Sequence, residues 1–301
     1  MSSYLITGAT GFLGRALVRE LLQRKDANRI CIYSRDEAKQ AAMRASLQDP
    51  EERLHFFVGD VRDLPRLRRA MAGTNVVIHA AALKRVEVGE YDPAEMVKTN
   101  VIGTMNVVEA AFDAPLGRVP GPRAVVYVSS DKACQPLNAY GASKLMGEKL
   151  VLASNNARGR EGPIFSAVRY GNVAGSTGSV IPTWRAAVKA GQGKYWITEP
   201  DATRFWMTID QAVNLVLDVA QGSPGGVLYV PGMNRDGLHI PQLPAYRLGD
   251  LAIAMDIPRP MMVIGLGKGE KAHERMLEDG PTSENVRRMT IDELREGLAK
   301  L

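Results

Sequence analysis

Tyr140 and Lys144, in the segment Tyr140-Gly141-Ala142-Ser143-Lys144, lie four residues apart and share one face of a helix. An ammonium beside a phenol favours the phenolate and lowers its pKa. Tyr140 could then take a proton from a substrate hydroxyl while hydride leaves the same carbon. The same spacing occurs on ordinary amphipathic helices, so the pair gains meaning only beside a site for a hydride acceptor. Upstream, Ser129-Ser130-Asp131-Lys132 sets an acid and a base next to hydroxyls. Such a set suits elimination: oxidation to a ketone acidifies the neighbouring C–H, a base removes that proton, and an acid protonates the departing hydroxyl. The plain alternative is a surface ion pair in a turn.

The hydride acceptor has a candidate site at the start of the chain. The apolar run Tyr4–Thr7 leads into Gly8-Ala9-Thr10-Gly11-Phe12-Leu13-Gly14, whose glycines let backbone amides at a helix start approach a pyrophosphate. Glycines alone would mark a tight turn; the strand before and the helix after supply the context of a dinucleotide site. A second expected strand ends at Tyr33-Ser34-Arg35-Asp36, where NAD calls for a carboxylate and NADP for a cation at its 2′-phosphate. Arg35 favours NADP. Ser34 can donate to the same phosphate, and Lys39 lies within one turn of a helix beginning at Asp36.

These residues need a scaffold that gathers strand ends. Tyr4–Thr7, Arg29–Tyr33, Leu54–Val58, Asn75–His79, Ala124–Val128 and Ile164–Val168 read as buried strands. Phe12–Gln23, Pro65–Met71, Pro93–Ala111 and Tyr140–Ser154 carry apolar residues at helical spacing. The alternation predicts an α/β, Rossmann-type doubly wound parallel sheet, with ligands beyond the carboxyl ends of its strands. After Tyr170 the texture changes to Gly-, Pro- and Trp-containing segments, with helices expected at Ile181–Ala190 and Ile209–Gln221 and a strand at Val227–Val230. The expected division is a dinucleotide-binding domain over 1–171, to which 205–231 return, and a smaller C-terminal substrate-binding lobe over 172–301.

Composition narrows the function classes. With 45% hydrophobic and 24% charged residues among 301, the chain has ordinary globular usage, against disorder. The formal charge of +5 is scattered among acids, which argues against nucleic acid and fits an anionic small ligand. Cys31 and Cys134 are too few for a disulfide framework or a zinc site; no metal is expected, and a reducing, cytoplasmic setting is. Met1-Ser2-Ser3 leads straight into Tyr4-Leu5-Ile6, which predicts no secretory leader, and runs such as Val76 to Leu83 are far shorter than the roughly 20 residues of a membrane helix.

The Gly-x-x-Gly-x-x-Gly spacing, with Gly59-Asp60-Val61-Arg62-Asp63, resembles the extended short-chain dehydrogenases/reductases. That resemblance implies cofactor contacts from Gly8, Thr10, Gly11, Phe12, Leu13, Gly14, Ser34, Arg35, Lys39, Asp60, Val61, Ala80, Ala81, Tyr140 and Lys144. Ser129-Ser130-Asp131-Lys132-Ala133 with Pro136-Leu137-Asn138-Ala139-Tyr140 is more specific: it resembles the inverting UDP-GlcNAc 4,6-dehydratases of the polysaccharide-biosynthesis family. The likeness continues through Ala81-Ala82-Leu83-Lys84, Lys98-Thr99-Asn100, Arg169-Tyr170-Gly171-Asn172-Val173, Thr203-Arg204-Phe205-Trp206, Gly269-Glu270-Lys271 and His273-Glu274. It implies catalysis by Asp131 (acid), Lys132 (base), Tyr140, Lys144 and Ser130, and a UDP-sugar held by Lys84, Asn172, Arg204 and Glu270. Arg185 and Lys194 join them as loop and helix cations. Relatives assemble through helices equivalent to Pro93–Ala111 and Tyr140–Ser154, so a homo-oligomer is expected. Departures are Leu266-Gly267-Lys268 where the family has Arg-Pro, Arg85 where His is common, and Cys134-Gln135 in place of small residues.

Three readings compete on these residues. A lyase uses every member of the set, whereas a sugar-nucleotide 4-epimerase or reductase leaves Asp131 and Lys132 without work. A non-catalytic NADP-sensing protein would not need Tyr140 and Lys144 together. His79 and His273 read as structural, and Trp184, Trp196 and Trp206 as core or lobe-interface residues.

Overall fold

The computed structural model describes residues 2–114 and 121–301; Met1 and 115–120, part of the expected 1–171 domain, lie outside the described residues. In chain order come β1 (Ser2–Thr7), α1 (Phe12–Arg24), β2 (Ala27–Ser34), α2 (Glu37–Ser46), β3 (Leu54–Val58), α3 (Leu64–Met71) and β4 (Val76–His79). Two short helices, α4 (Val86–Tyr91) and α5 (Pro93–Met96), precede α6 (Gly103–Asp113), β5 (Ala124–Val128), α7 (Ala139–Ala153) and β6 (Ile164–Val168). The rest is α8 (Val180–Lys189), β7 (Tyr195–Ile197), β8 (Thr203–Phe205), α9 (Ile209–Gly222), β9 (Leu228–Tyr229), β10 (Asn234–Arg235) and β11 (Leu238–His239). It closes with β12 (Ala245–Arg247), α10 (Leu248–Ala254), β13 (Met261–Val263) and α11 (Ile291–Ala299).

Seven parallel strands form the main sheet in the order β3-β2-β1-β4-β5-β6-β9. Alternate residues of each strand face opposite sides, so both faces must be covered. Tyr4, Ile6, Ile30 and Ile32 pack with Leu17 and Leu21 of α1 and Val213 and Val216 of α9. Leu5, Cys31, Val77 and Val125 face Leu67 of α3, Val107 of α6 and Val151 of α7. A separate core of Ile181, Trp184, Ile197, Trp206, Leu251 and Leu294 holds the smaller lobe. Capping sets the helix starts: Asp36 accepts from the Lys39 amide, Asn138 from Gly141, and Thr208 with Gln211 closes a reciprocal cap on α9.

The single helix expected over Pro93–Ala111 is interrupted. Between α5 and α6 the chain widens into π-helical turns over Val97–Ile102. Asn100 there turns inward, its Oδ1 accepting from the Leu83 amide at 2.8 Å and its Nδ2 donating to the Ser143 hydroxyl at 2.9 Å. Such widened turns recur at functional sites. Among the described residues no helix is long and apolar enough to cross a membrane.

Candidate active site

The carboxyl ends of β1, β2, β4, β5 and β6 open into one cleft of about 750 Å³, closed on its far side by the smaller lobe. At its floor the β1–α1 turn approaches closely: a Cβ on Gly14 would lie 2.5 Å from Ala9 Cα and the Gly8 carbonyl oxygen, so only glycine lets the helix start sit there. Gly8, Thr10, Gly11, Phe12, Leu13, Gly14, Asp60, Val61, Ala80 and Ala81 all line the cleft. So do Ser34, Arg35 and Lys39. Arg35 stands 3.6 Å from Asp60, and Lys39 pairs with Asp36 at 2.7 Å. Ser34 Oγ accepts from Gln40 Nε2 at 3.0 Å, which leaves its own proton free to donate into the cleft. Gln40 is buried and was missed by the sequence reading, which looked only at residues adjoining the strand end.

The reacting groups sit above this floor. β5–β6 pairing runs past the strands, with the Ser129 amide on Val168 O and the Asp131 amide on Tyr170 O, which fixes the turn Ser129–Ala133. Gly141 brings α7 against it, since a Cβ there would stand 2.2 Å from Lys132 O. Asp131 is 1% exposed; its Oδ1 accepts from Ser130 Oγ at 3.0 Å, and Oδ2 has no hydrogen-bond partner among the described residues. Burial, with the Glu274 charge, pushes the Asp131 carboxyl above the usual carboxylate range against the pull of Lys132 and the Ser130 hydroxyl. Lys132 Nζ lies 3.4 Å from Asp131 Oδ1 and 3.1 Å from Glu274 Oε1. Burial alone would lower its pKa, but the two carboxylates override this and raise it. Lys132 is therefore an ammonium at rest.

Tyr140 and Lys144 both line the cleft, yet they do not interact as their spacing predicts. Burial raises the Tyr140 pKa, and the groups that pull it down are the Ser130 hydroxyl and Lys132. Lys144 Nζ donates to Val128 O at 2.5 Å and stands 4.2 Å from the Tyr127 ring centre. Burial takes the Lys144 ammonium down to about 7, against the raising pull of Glu148.

A family model described as "Polysaccharide biosynthesis protein" matches residues 4–294. The chain belongs to that polysaccharide biosynthesis family. It is 40% identical over 273 residues (91% of this chain, 76% of the relative) to a "UDP-N-acetylglucosamine 4,6-dehydratase (inverting)" of Campylobacter jejuni. It is 38% identical over 280 residues, covering 91% and 76%, to a "UDP-glucose 4-epimerase" of Rickettsia rickettsii. The X-ray structure of Pen from Bacillus thuringiensis matches with a TM-score of 0.89 and 29% identity over 100% of this chain and 98% of that one. The architecture is the extended short-chain dehydrogenase/reductase fold.

In this polysaccharide biosynthesis protein the expected sugar contacts divide. Lys84, Asn172, Arg204 and Glu270 line the cleft, and Asn172 Oδ1 is buried without a hydrogen-bond partner among the described residues. Burial lowers the Lys84 pKa. Arg204 is nearly buried, its Nη1 donating to Thr203 O and Ala272 O, so it faces the Asp131–Lys132–Glu274 group from the lobe side. Glu270 Oε2 closes its own loop on the Gly267 amide at 3.0 Å. Arg185 and Lys194 do not line the cleft: Arg185 Nη2 is spent on Leu298 O at 2.9 Å, and Lys194 is exposed before β7. Trp184 and Trp206 are buried, whereas Trp196, 49% exposed, stands in the cleft wall. His79 bridges Thr7 and Thr104 in the core, kept neutral by burial with a pKa of about 3.

Proposed function

We propose that this protein carries out NADP-dependent 4,6-dehydration of a UDP-N-acetylhexosamine, UDP-GlcNAc, with inversion at C5, releasing a 4-keto-6-deoxy nucleotide sugar. The observation that carries this reading is a buried Asp131 whose Oδ1 lies 3.4 Å from Lys132 Nζ, both within the cleft that holds Tyr140 and the glycine turn. The division of labour follows the two lobes: 1–171 with 205–231 hold the dinucleotide, and 172–301 hold the nucleotide sugar. The residues fit that dinucleotide, because the Gly14 cradle admits only backbone and Ser34, Arg35 and Lys39 present donors beside it. When bound, NADP would take up hydride from C4 of the sugar and return it at C6.

The protein's own part is proton management. Tyr140 takes the C4 hydroxyl proton, and Ser130, hydrogen-bonded to Asp131 and pulling down the Tyr140 pKa from beside it, offers a path by which that proton reloads the acid. Asp131 delivers its proton to the C6 hydroxyl, which leaves as water; the base side takes the C5 proton. Asn172 and Lys84 orient the sugar and its phosphates. Asp131 and Lys132 would be idle in a 4-epimerase, the activity named for the Rickettsia relative. Incubating purified protein with UDP-GlcNAc without added reductant separates the two by mass spectrometry. Loss of one water is expected; unchanged mass with a C4 epimer overturns the reading.

The same proposal includes a cytoplasmic setting and self-association. Tyr91, Val97, Ile102 and Met105 on and before α6, with Met146 on α7, are large apolar residues left exposed on or beside the helices expected to pair.

A further inference from the structure

Lys132 is surrounded as no lone base would be. A base must begin neutral, yet Lys132 Nζ is held between Asp131 and Glu274, two carboxyl groups that are 1% and 2% exposed. All three line the cleft, but Lys132 is by far the most exposed, its side chain being 24% exposed against 1% for Asp131 and 2% for Glu274, so Glu274 reaches the reacting carbon through it. The Glu274 backbone is clamped: its amide donates to Ser283 Oγ at 2.9 Å, its carbonyl accepts from the Ser283 amide at 2.8 Å, and Ser283 Oγ bonds Thr203 Oγ1 at 2.7 Å. Among the described residues Glu274 Oε2 has no hydrogen-bond partner although it is buried, so this carboxylate retains acceptor capacity. Lys132, Arg204 and Lys271 face it as cations, with Asp131 as the second acid and Tyr140 and Tyr246 beyond. Burial would raise the Glu274 pKa, but those three cations hold it low, so it is the ionised member of the pair of acids.

Resting on the dehydratase reading, we infer that Glu274 is the proton-accepting partner of Lys132, so that the base for C5 is the buried Lys132–Glu274 pair. Once C4 is oxidised, the C5 proton moves onto Lys132 Nζ as an N–H proton of Lys132 moves onto Glu274 in the same step, and the C5–H electrons move into the C4 carbonyl, so that no free amine has to form. Asp131 then protonates the C6 hydroxyl, and the C6–O bond breaks with formation of the C5–C6 double bond. Glu274 returns its proton to solvent, and C5 later takes one back from solvent. Glu274 acts through Lys132 and is a positioning residue in that sense, without touching the sugar.

The test is made on the full chain with UDP-GlcNAc in heavy water, following reduced-nicotinamide absorbance for C4 oxidation and mass for deuterium at C5 and loss of water. E274Q is expected to oxidise C4 within about threefold of wild type while C5 exchange and water loss slow by about 100-fold or more, the scale of a lost general base. Its residual C5 exchange climbs with pH, because Lys132 must then give its proton to hydroxide, and E274D restores part of the rate. Asp131→Asn should differ, exchanging C5 without losing water. E274Q that exchanges C5 at the wild-type rate, or that copies the Asp131→Asn pattern, overturns the inference. So does parallel loss of oxidation and exchange in both E274Q and E274D, which marks a purely structural role. Wild-type protein that oxidises C4 yet never exchanges C5 overturns the dehydratase reading and the inference together; the other outcomes leave that reading intact.

Discussion

Replacing Arg169 with Met should destabilise the protein by about 3–5 kcal/mol, because it strands a carboxylate in the core. Arg169 and Glu148 are 6% and 2% exposed, too buried for solvent to screen them. Each guanidinium nitrogen donates once: Nε to Glu148 Oε1 at 2.9 Å, Nη2 to Oε2 at 2.5 Å and Nη1 to Met276 O at 2.5 Å. These bonds tie α7, which carries Tyr140 and Lys144, to β6 and to the chain two residues beyond Glu274. With about 2.1 cal/mol/K of unfolding entropy per residue, each kcal/mol is worth about 1.6 °C in a chain of this length, so Tm should fall by about 5–8 °C. Scanning calorimetry of Arg169→Met and of the Arg169→Met/Glu148→Met double variant completes the test. Removing both charges leaves no unpaired ion, so the double variant should recover to within about 2 °C of wild type. Its turnover should nonetheless fall, because the link to Met276 O is gone. A single variant that loses less than about 2 °C, or a double variant no better than the single, would refute this.

Tyr140→Phe removes only the phenolic oxygen, so it should bind UDP-GlcNAc normally while C4 oxidation slows by roughly 10²- to 10⁴-fold in stopped-flow absorbance. Asp131 works in its protonated form and its pKa is raised by burial, so water loss should be complete below that pKa and decline as pH rises through it. Asp131→Asn should abolish water loss at every pH while C4 oxidation persists, and any retained water loss would unseat Asp131 as the acid. Arg35→Ala should weaken NADP by roughly 10- to 150-fold and NAD much less, the worth of a hydrogen bond between charged groups, measured by calorimetric titration. Gln40→Leu should shift the preference the same way by freeing the Ser34 hydroxyl to rotate; equal losses for both cofactors would show that the end of β2 does not contact the 2′-phosphate. Met105→Glu places a charge on the exposed face of α6 and should lower the oligomeric order in light scattering if that face pairs.

The main sheet was legible because its central strands are buried on both faces, which forces continuous apolar runs that no solvent-exposed loop would carry. Tyr4–Thr7, Ala124–Val128 and Ile164–Val168 all lie within observed strands, and so does Leu54–Val58, though as the edge strand it is not buried as expected, with His55 and Val58 exposed. The smaller lobe was harder because β7, β8, β12 and β13 each span three residues, too few for a period to show. At the site, what local spacing could reach was reached: Tyr140 and Lys144 share α7, and Ser130 to Lys132 form one turn after β5. What spacing could not give was the direction of a long side chain. Lys144 has the right face but sends its ammonium to the Val128 carbonyl, and Arg204 has the right motif but turns toward the acids. Helical spacing over Pro93–Ala111 likewise could not register Asn100, whose inward bonds to Leu83 and Ser143 accompany the widened turn. Glu274 is the sharpest case, since it meets Lys132 across 142 residues of sequence and no local pattern joins them. A carboxylate brought from another lobe to sit behind a lysine changes that lysine from a ready base to a charged one. The protonation chemistry of this site therefore belongs to the closure of the smaller lobe over the sheet, and substitutions at Ser283 or Thr203, which hold Glu274 in place, should be felt first at Lys132.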